Sequence, residues 1–384
     1  MLSNPRINDG SSAPGKKGTH DQIKFISLLR ASAALLVLWD HLAGVWPTYN
    51  KRSWIPTKIV ESTINHPFQI SQDFGWLGVC LFFLVSGFII THVAMRESAL
   101  DFLVKRVFRI FPPLWFAILL TVFVEWFMSP TPLQPGSGSY SIKQVLLAMT
   151  LFNYLMAKNV VVSGVAWTLI IEMSFYFLMW IMLPLLRRQP LLVTTFGLII
   201  VGAALGTRNQ FGESYFVLVV TLSYVPILFI GQAIYFRWSN RCSTLTSGAL
   251  ITASAGEFIL GTHLIQPQML QANADGSYAV SMAYAIAIFV FVLILNNRLY
   301  FPRFLEMIAD SSYSLYLLHP VVGFYVLDVL TPHMPLTLSI LIATIVSIVV
   351  AFLSHKFIEE PSRKSARSLL KFAHKTLSST KSVQ

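Results

Sequence analysis

Charge is scarce in this chain: Asp, Glu, Lys and Arg make up only 12% of its 384 residues, about half the roughly 25% of a typical soluble domain. So few charges do not clothe a globule in water, and a mean hydropathy of +0.64 points to lipid as the natural solvent. Acidic residues are scarcer than basic ones, 17 against 28, which leaves a formal net charge of +11. In a soluble protein that excess would suit nucleic acid. Here Lys and Arg cluster between and after apolar stretches, the pattern of membrane topology, and no nucleic-acid partner is expected. Cysteine is nearly absent too. Cys80 and Cys242 are too few and too separated for a metal cluster or a disulfide framework, so both read as packing residues and no metal is expected. No fixed-period repeat is visible, and neither tail is long enough for a second domain.

What is present is a series of long apolar runs. A bilayer core of roughly 30 Å takes roughly 20 helical residues, and runs of that order lie near 25–46, 74–95, 111–128, 164–186, 190–207, 214–236, 244–263, 276–295, 311–330 and 335–357. The expected fold is therefore all-α and polytopic, with about ten transmembrane helices. The first run has no clear small-x-small cleavage site, so it belongs to the mature protein and is not a signal peptide. An eleventh run, 141–159, is shorter and contains Asn153. Charge decides its status. If it does not cross, 22 of the 28 Lys and Arg fall on one face, leaving Lys51, Arg52, Lys58, Lys143, Lys158 and Arg208 on the other; if it does cross, the seven-charge C-terminal tail moves outside. The positive-inside rule favours the first arrangement, with 141–159 a short interfacial or re-entrant segment and both termini cytosolic. Residues 1–22 then form a flexible cytosolic tail, 23–360 the transmembrane domain and 361–384 a basic cytosolic tail.

Ionisable residues inside spans are costly and mark functional sites. Arg30, Asp40 and His41 lie in the first run, Glu172 in the fourth and His319 in the ninth. Eleven positions separate Arg30 from His41, about 16 Å and three helical turns, so the two share nearly one face. Glu172 falls in the same half of the bilayer as His41. A carboxylate beside an imidazole raises its basicity, the arrangement wanted for taking a proton from a hydroxyl; a structural pair stabilising helix packing is the plainer alternative. Asp40 points about 100° away around the helix. His319, before the kinking residue Pro320, reads first as a satisfied core histidine, and Ser86 as packing or cavity lining. Arg106 and Arg109, three apart, share a helical face and make a fork suited to phosphate, or else simply anchor the inner interface. Trp167, Thr168 and Phe175-Tyr176-Phe177 line a cavity or form an interfacial belt.

Together these pieces resemble the acyltransferase-3 family of membrane O-acyltransferases. The resemblance rests on Arg30 with ten residues before His41, then Phe82-Phe83…Ser86-Gly87-Phe88, Arg106-Val107-Phe108-Arg109-Ile110-Phe111-Pro112 and Trp167-Thr168-Leu169…Glu172…Phe175-Tyr176. It continues with Ser312-Tyr313-Ser314-Leu315-Tyr316-Leu317…His319-Pro320 and Phe357-Ile358-Glu359-Glu360-Pro361, covering about 22–363. It implies transfer of an acyl group, usually acetyl, from cytosolic acyl-CoA (acetyl-CoA) to a hydroxyl of a carbohydrate or glycolipid acceptor such as lipopolysaccharide or exopolysaccharide, in the inner membrane of a bacterium. Catalysis would fall to His41 and Glu172, with His41 acting as general base or carrying the acyl group transiently. Arg30, Arg106 and Arg109 would hold the donor, and Ser86, Trp167, Thr168, Tyr313 and His319 would line the cavity. The chain departs from larger members in lacking a fused extracytoplasmic hydrolase-like domain, so either the ten-span unit suffices or a separate extracytoplasmic partner completes delivery. The rival reading is a proton-coupled transporter, since buried His and Glu also serve proton relays; Pro226 and Pro320 interrupt two spans, but without the half-to-half correspondence that transporters show. A purely structural membrane scaffold would not need His41, Glu172 and the arginines together.

Overall fold

The computed structural model of the chain describes residues 24–70, 72–128, 140–156, 164–265, 278–298 and 302–381, and these are helical with no strand among them. Eight helices are long and apolar enough to cross a membrane: α1 (Lys24–Tyr49), α2 (Gly75–Ala94), α3 (Ala99–Phe127), α6 (Glu213–Trp238), α7 (Thr244–Ile265), α8 (Tyr278–Leu295), α9 (Ser312–Leu330) and α10 (Leu336–Thr376). Two shorter apolar helices, α4 (Trp167–Ile181) and α5 (Pro190–Gly206), complete the series. The ten fall in order on the ten runs expected from hydropathy, and the protein is an integral membrane protein. The segment 141–159 behaves as expected of a non-crossing element over its described part. Ser141 and Gln144 cap a two-turn helix, Ile142–Met149, with reciprocal hydrogen bonds that satisfy its first amides. A 3₁₀ turn, Phe152–Leu155, then carries Asn153 into the protein. Residues 157–159 and the tail 1–22 lie outside the described residues.

Contacts between helix ends confirm that the chain runs up and down. At one end the amide of Phe25 donates to Asn296, Arg187 donates to the carbonyls of Ala94 and Glu97, and His374 meets Asp101 at 2.8 Å. Arg96, Arg187, Arg298 and Arg363 stand at or near helix ends on this side, and we call it the basic end. At the other, Trp46 donates to Asp328 at 3.0 Å, Trp54 to Thr337 at 2.9 Å and Trp76 to the carbonyl of Tyr278 at 3.0 Å. The basic C-terminal segment is no detached tail: Glu360–Lys381 is helical and packs along α3, with Ala366 and Leu370 buried.

Helix α2 is the centre of the bundle, packed against α1, α4, α8 and the second half of α6. In lipid there is little hydrophobic drive between helices, so close approach of small residues supplies the packing energy. Gly87 lies on the backbone of Leu228, and Gly231 on the backbone of Leu84, a reciprocal contact that leaves no room for a Cβ on either side. Beside it Gln232, fully buried, accepts from Thr194 at 2.6 Å and donates to Thr91 at 3.1 Å, so the amide is satisfied where water is absent. Gly87→Val is expected to push α2 from α6 and cost at least the roughly 1–3 kcal/mol of an overpacked core. Thermal unfolding in detergent, followed by size-exclusion fluorescence, reads this as a lowered midpoint and a reduced monodisperse yield.

Candidate active site

A cavity of about 280 Å³ lies between α1, α2, α3, α4 and α9. Its polar wall is made by Arg30, Arg109, Glu172, Ser86, Thr168, Tyr313, Tyr316 and Asp310. Arg30 leaves α1 towards α9 and donates to Ser312 Oγ at 2.9 Å, which fixes the guanidinium while leaving most of its five N–H groups unspent. Arg109 faces it from α3, within electrostatic range of Glu172 and Glu359. Behind the arginines Tyr313 donates to the carbonyl of Ile110 at 2.9 Å, locking α9 to α3. The lock falls where Pro112 and Pro113 remove two donors from that stretch of α3. Deeper in, Thr168 Oγ1 donates to the Tyr316 hydroxyl at 2.9 Å, and that hydroxyl donates to the carbonyl of Val165 at 3.0 Å.

Beyond Tyr316 the helix α9 presents His319, whose ring centre lies 6.2 Å from that of Tyr316. His319 in turn meets His41 edge to face, with ring centres 4.8 Å apart and planes at 86°. His41 sits on a π-helical turn, Asp40–Val45, that interrupts α1; such turns are frequent at functional sites. Its Nδ1 donates to the carbonyl of Val37 at 3.0 Å and lies 3.6 Å from Asp40 Oδ2. Arginines, cavity, Tyr316 and the histidine pair thus follow one another along α1 and α9 from the basic end inward.

Two spatial expectations from the sequence are corrected here. Among the described residues no hydrogen bond or ion pair joins His41 to Glu172. The carboxylate beside His41 is that of Asp40, at the start of the π turn, and the ring against His41 is His319. Glu172 lines the cavity near Arg109 instead. The Arg106/Arg109 fork is also divided. Arg106, 8% exposed, turns to Glu97 at 3.6 Å and lies over the Phe102 ring, whereas Arg109 faces the cavity with Arg30. Of the remaining residues, Ser86 lines the cavity and lies 3.4 Å from the Tyr176 hydroxyl; Thr168 and Tyr313 line it too. Trp167 does not: it packs with Trp76 and Tyr224 in an aromatic cluster. Cys80 is a buried free cysteine and Cys242 a partly exposed one.

Sequence reasoning passed over several ionisable residues inside the apolar helices, among them His92, Glu125, Glu257 and Asp328. It also assigned no role to Glu359. That carboxylate is completely buried in a second π-helical turn, His355–Glu359. It accepts from Ser314 at 3.1 Å, lies 3.1 Å from His355 Nδ1, and pairs with Arg363. Ser314 is two residues from Ser312, the anchor of Arg30, so Glu359 ties α10 to the helix that holds the cavity arginine. Removing one partner of a buried pair costs about 3–5 kcal/mol. Glu359→Gln is therefore expected to lower the thermal midpoint of the detergent-solubilised protein by many degrees, and Arg363→Ala, whose side chain is partly exposed, by less.

A family model described as an acyltransferase domain matches residues 23–356, which is most of the chain and includes every helix that forms the cavity. The chain belongs to the acyltransferase-3 family. Two relatives agree with that. Nodulation protein 10 of Rhizobium leguminosarum bv. viciae is 26% identical over 376 residues, covering 89% of this chain and 94% of the relative. O-acetyltransferase OatA of Staphylococcus aureus is 24% identical over 339 residues, covering 78% of this chain but 55% of the relative, so the chain spans about half the length of that protein. No solved structure matches. The acyltransferase is thus a membrane O-acyltransferase, and the cavity is the candidate site for its chemistry.

Proposed function

We propose that the protein takes an acetyl group from cytosolic acetyl-CoA and transfers it to a hydroxyl of a cell-surface carbohydrate or glycolipid. The observation that carries this reading is the pairing of Arg30 and Arg109 across one cavity at the basic end, with the histidine pair beyond it. Two guanidiniums at a cavity mouth suit the phosphates of the donor. The pantetheine arm, on the order of 15 Å when extended, matches the roughly 16 Å between Arg30 and His41 along α1. By the positive-inside rule the basic end faces the cytosol, where acyl-CoA resides, with both termini on that side of a bacterial inner membrane. The acetyl group is suggested by the name of the staphylococcal relative.

In this scheme His41 takes the proton of the acceptor hydroxyl as the oxygen attacks the thioester carbonyl. The C–S bond breaks with its electron pair going to sulfur, and the proton returns to the thiolate. Glu172 belongs to the donor cavity, where it balances the charge of the arginines. A separate extracytoplasmic protein completes delivery if the acceptor is assembled outside. Membranes containing the protein, incubated with acetyl-CoA labelled in the acetyl group, are expected to release free CoA and to label a saccharide fraction. CoA release no greater than from membranes without the protein would overturn the proposal and favour a proton-coupled transporter.

A further inference from the structure

His319 makes one hydrogen bond and withholds another. Its Nδ1 lies 2.9 Å from the carbonyl of Leu315, and a carbonyl only accepts, so Nδ1 carries the proton and Nε2 the lone pair of the neutral ring. That Nε2 is buried without a hydrogen-bond partner, in a residue only 1% exposed. An acceptor left unpaired in a dry interior costs about 1–3 kcal/mol and calls for an explanation. His41 is held the same way, Nδ1 against the carbonyl of Val37, so its Nε2 also carries a lone pair. Two neutral rings in this state have no proton to share. Edge to face with centres 4.8 Å apart, the two rings are in direct contact.

The arrangement changes meaning once His41 gains a proton. We propose that His319 is the proton-sharing partner of His41: when His41 Nε2 takes the proton of the acceptor hydroxyl, that proton is shared with His319 Nε2 until it returns through His41 to the thiolate. One proton moves from oxygen to sulfur, the new C–O bond replaces the C–S bond, and both rings end in the Nδ1–H state in which they began. His319 thereby takes the part that the sequence suggested for Glu172, with a difference in chemistry. A neutral lone pair stabilises the imidazolium in the transition state and adds no charge at rest to that of Asp40, so the base stays available. The backbone hydrogen bonds from both Nδ1 atoms fix the tautomers this sharing requires. Burial also means that no water competes for the lone pair.

The proton-sharing role rests on the acyl-CoA reading, and its test separates the two. His319→Phe keeps an aromatic ring and removes the lone pair; His319→Gln keeps an acceptor. Each is measured for acetyl-CoA turnover as purified protein in lipid nanodiscs, with thermal unfolding as the check on folding. The expected result is a kcat lower by about 10- to 100-fold for His319→Phe, an unchanged KM for acetyl-CoA, and a distinctly smaller loss for His319→Gln. In a His41→Ala background His319→Phe is expected to cost nothing further, because residues that act as a unit are non-additive. Equal losses for Phe and Gln, a change confined to KM, or a full additive loss beside His41→Ala would each assign His319 to packing alone and overturn the inference. Absence of acetyl-CoA turnover in the unmodified protein would instead overturn the donor reading. If His319→Phe fails to fold, His319→Leu, which also lacks the lone pair, takes its place in the unmodified and His41→Ala backgrounds and decides by the same non-additivity.

Discussion

His41→Ala is expected to lower kcat for acyl transfer by about 10²- to 10⁴-fold, the range of a positioned general base, while leaving KM for acyl-CoA nearly unchanged. The reason for the split is spatial. The cavity wall includes Arg30, Arg109 and Tyr316 but not His41, so the donor keeps its contacts when the imidazole is gone. His41 is held for reaction by the Val37 carbonyl and by Asp40, and alanine removes the base without disturbing either. Steady-state kinetics on purified protein in nanodiscs measures both parameters. A variant that folds and turns over at the unmodified rate would remove His41 from the mechanism altogether. The same preparation also separates the two routes: acetyl label found on the chain after a rapid quench in denaturant at neutral pH, and lost in His41→Ala, marks an acyl-histidine intermediate, whereas its absence leaves His41 as base.

Arg109→Ala is expected to act in the opposite sense, raising KM for acyl-CoA about 10- to 100-fold with a smaller change in kcat. A hydrogen bond to a charged group contributes about 1.5–3 kcal/mol, and each 1.4 kcal/mol is about tenfold in affinity. Arg109→Lys keeps the charge but not the planar fork and recovers only part of the loss. Arg30→Ala follows the same pattern, softened because part of that guanidinium is committed to Ser312. Arg106→Ala is the informative control. Its side chain lies 3.6 Å from Glu97 and over the Phe102 ring, outside the cavity lining, so its loss is expected to lower stability more than donor affinity. A larger KM effect for Arg106 than for Arg109 would contradict the cavity geometry. Because the donor phosphates meet these charges at the membrane surface, KM is expected to climb with ionic strength in the unmodified protein and to depend less on salt in Arg109→Ala.

Much of this architecture is legible in one dimension. Hydropathy sets where the chain crosses lipid, since every buried residue must avoid exposing polar groups to hydrocarbon. The bias of Lys and Arg then rejects 141–159 as a crossing, and the two-turn helix there agrees. Depth is legible as well: Arg30 and His41 are separated by a helical rise that any α-helix obeys, and the structure keeps Arg30 towards the basic end with His41 farther in.

Which side chains meet at a given depth was decided only by the tertiary structure. Hydropathy puts Glu172 and His41 in one half of the bilayer, yet Glu172 faces the arginines and His41 faces His319. That outcome depends on which way each helix is turned about its axis. The turn is set by contacts between segments far apart in sequence, such as Gly87 on Leu228 and Ser314 on Glu359. The π turns at Asp40–Val45 and His355–Glu359 each shift the register of the downstream helix by part of a turn, and neither leaves a periodic mark in the sequence. Arg106 and Arg109 keep the spacing of a fork, but Glu97 claims one of them. The sequence alone therefore determined a membrane-spanning helical protein with its cationic, histidine and carboxylate residues at stated depths. The packing of helices around α2 decided which of them meet, because rotation about a helix axis costs nothing until a neighbour is there to oppose it.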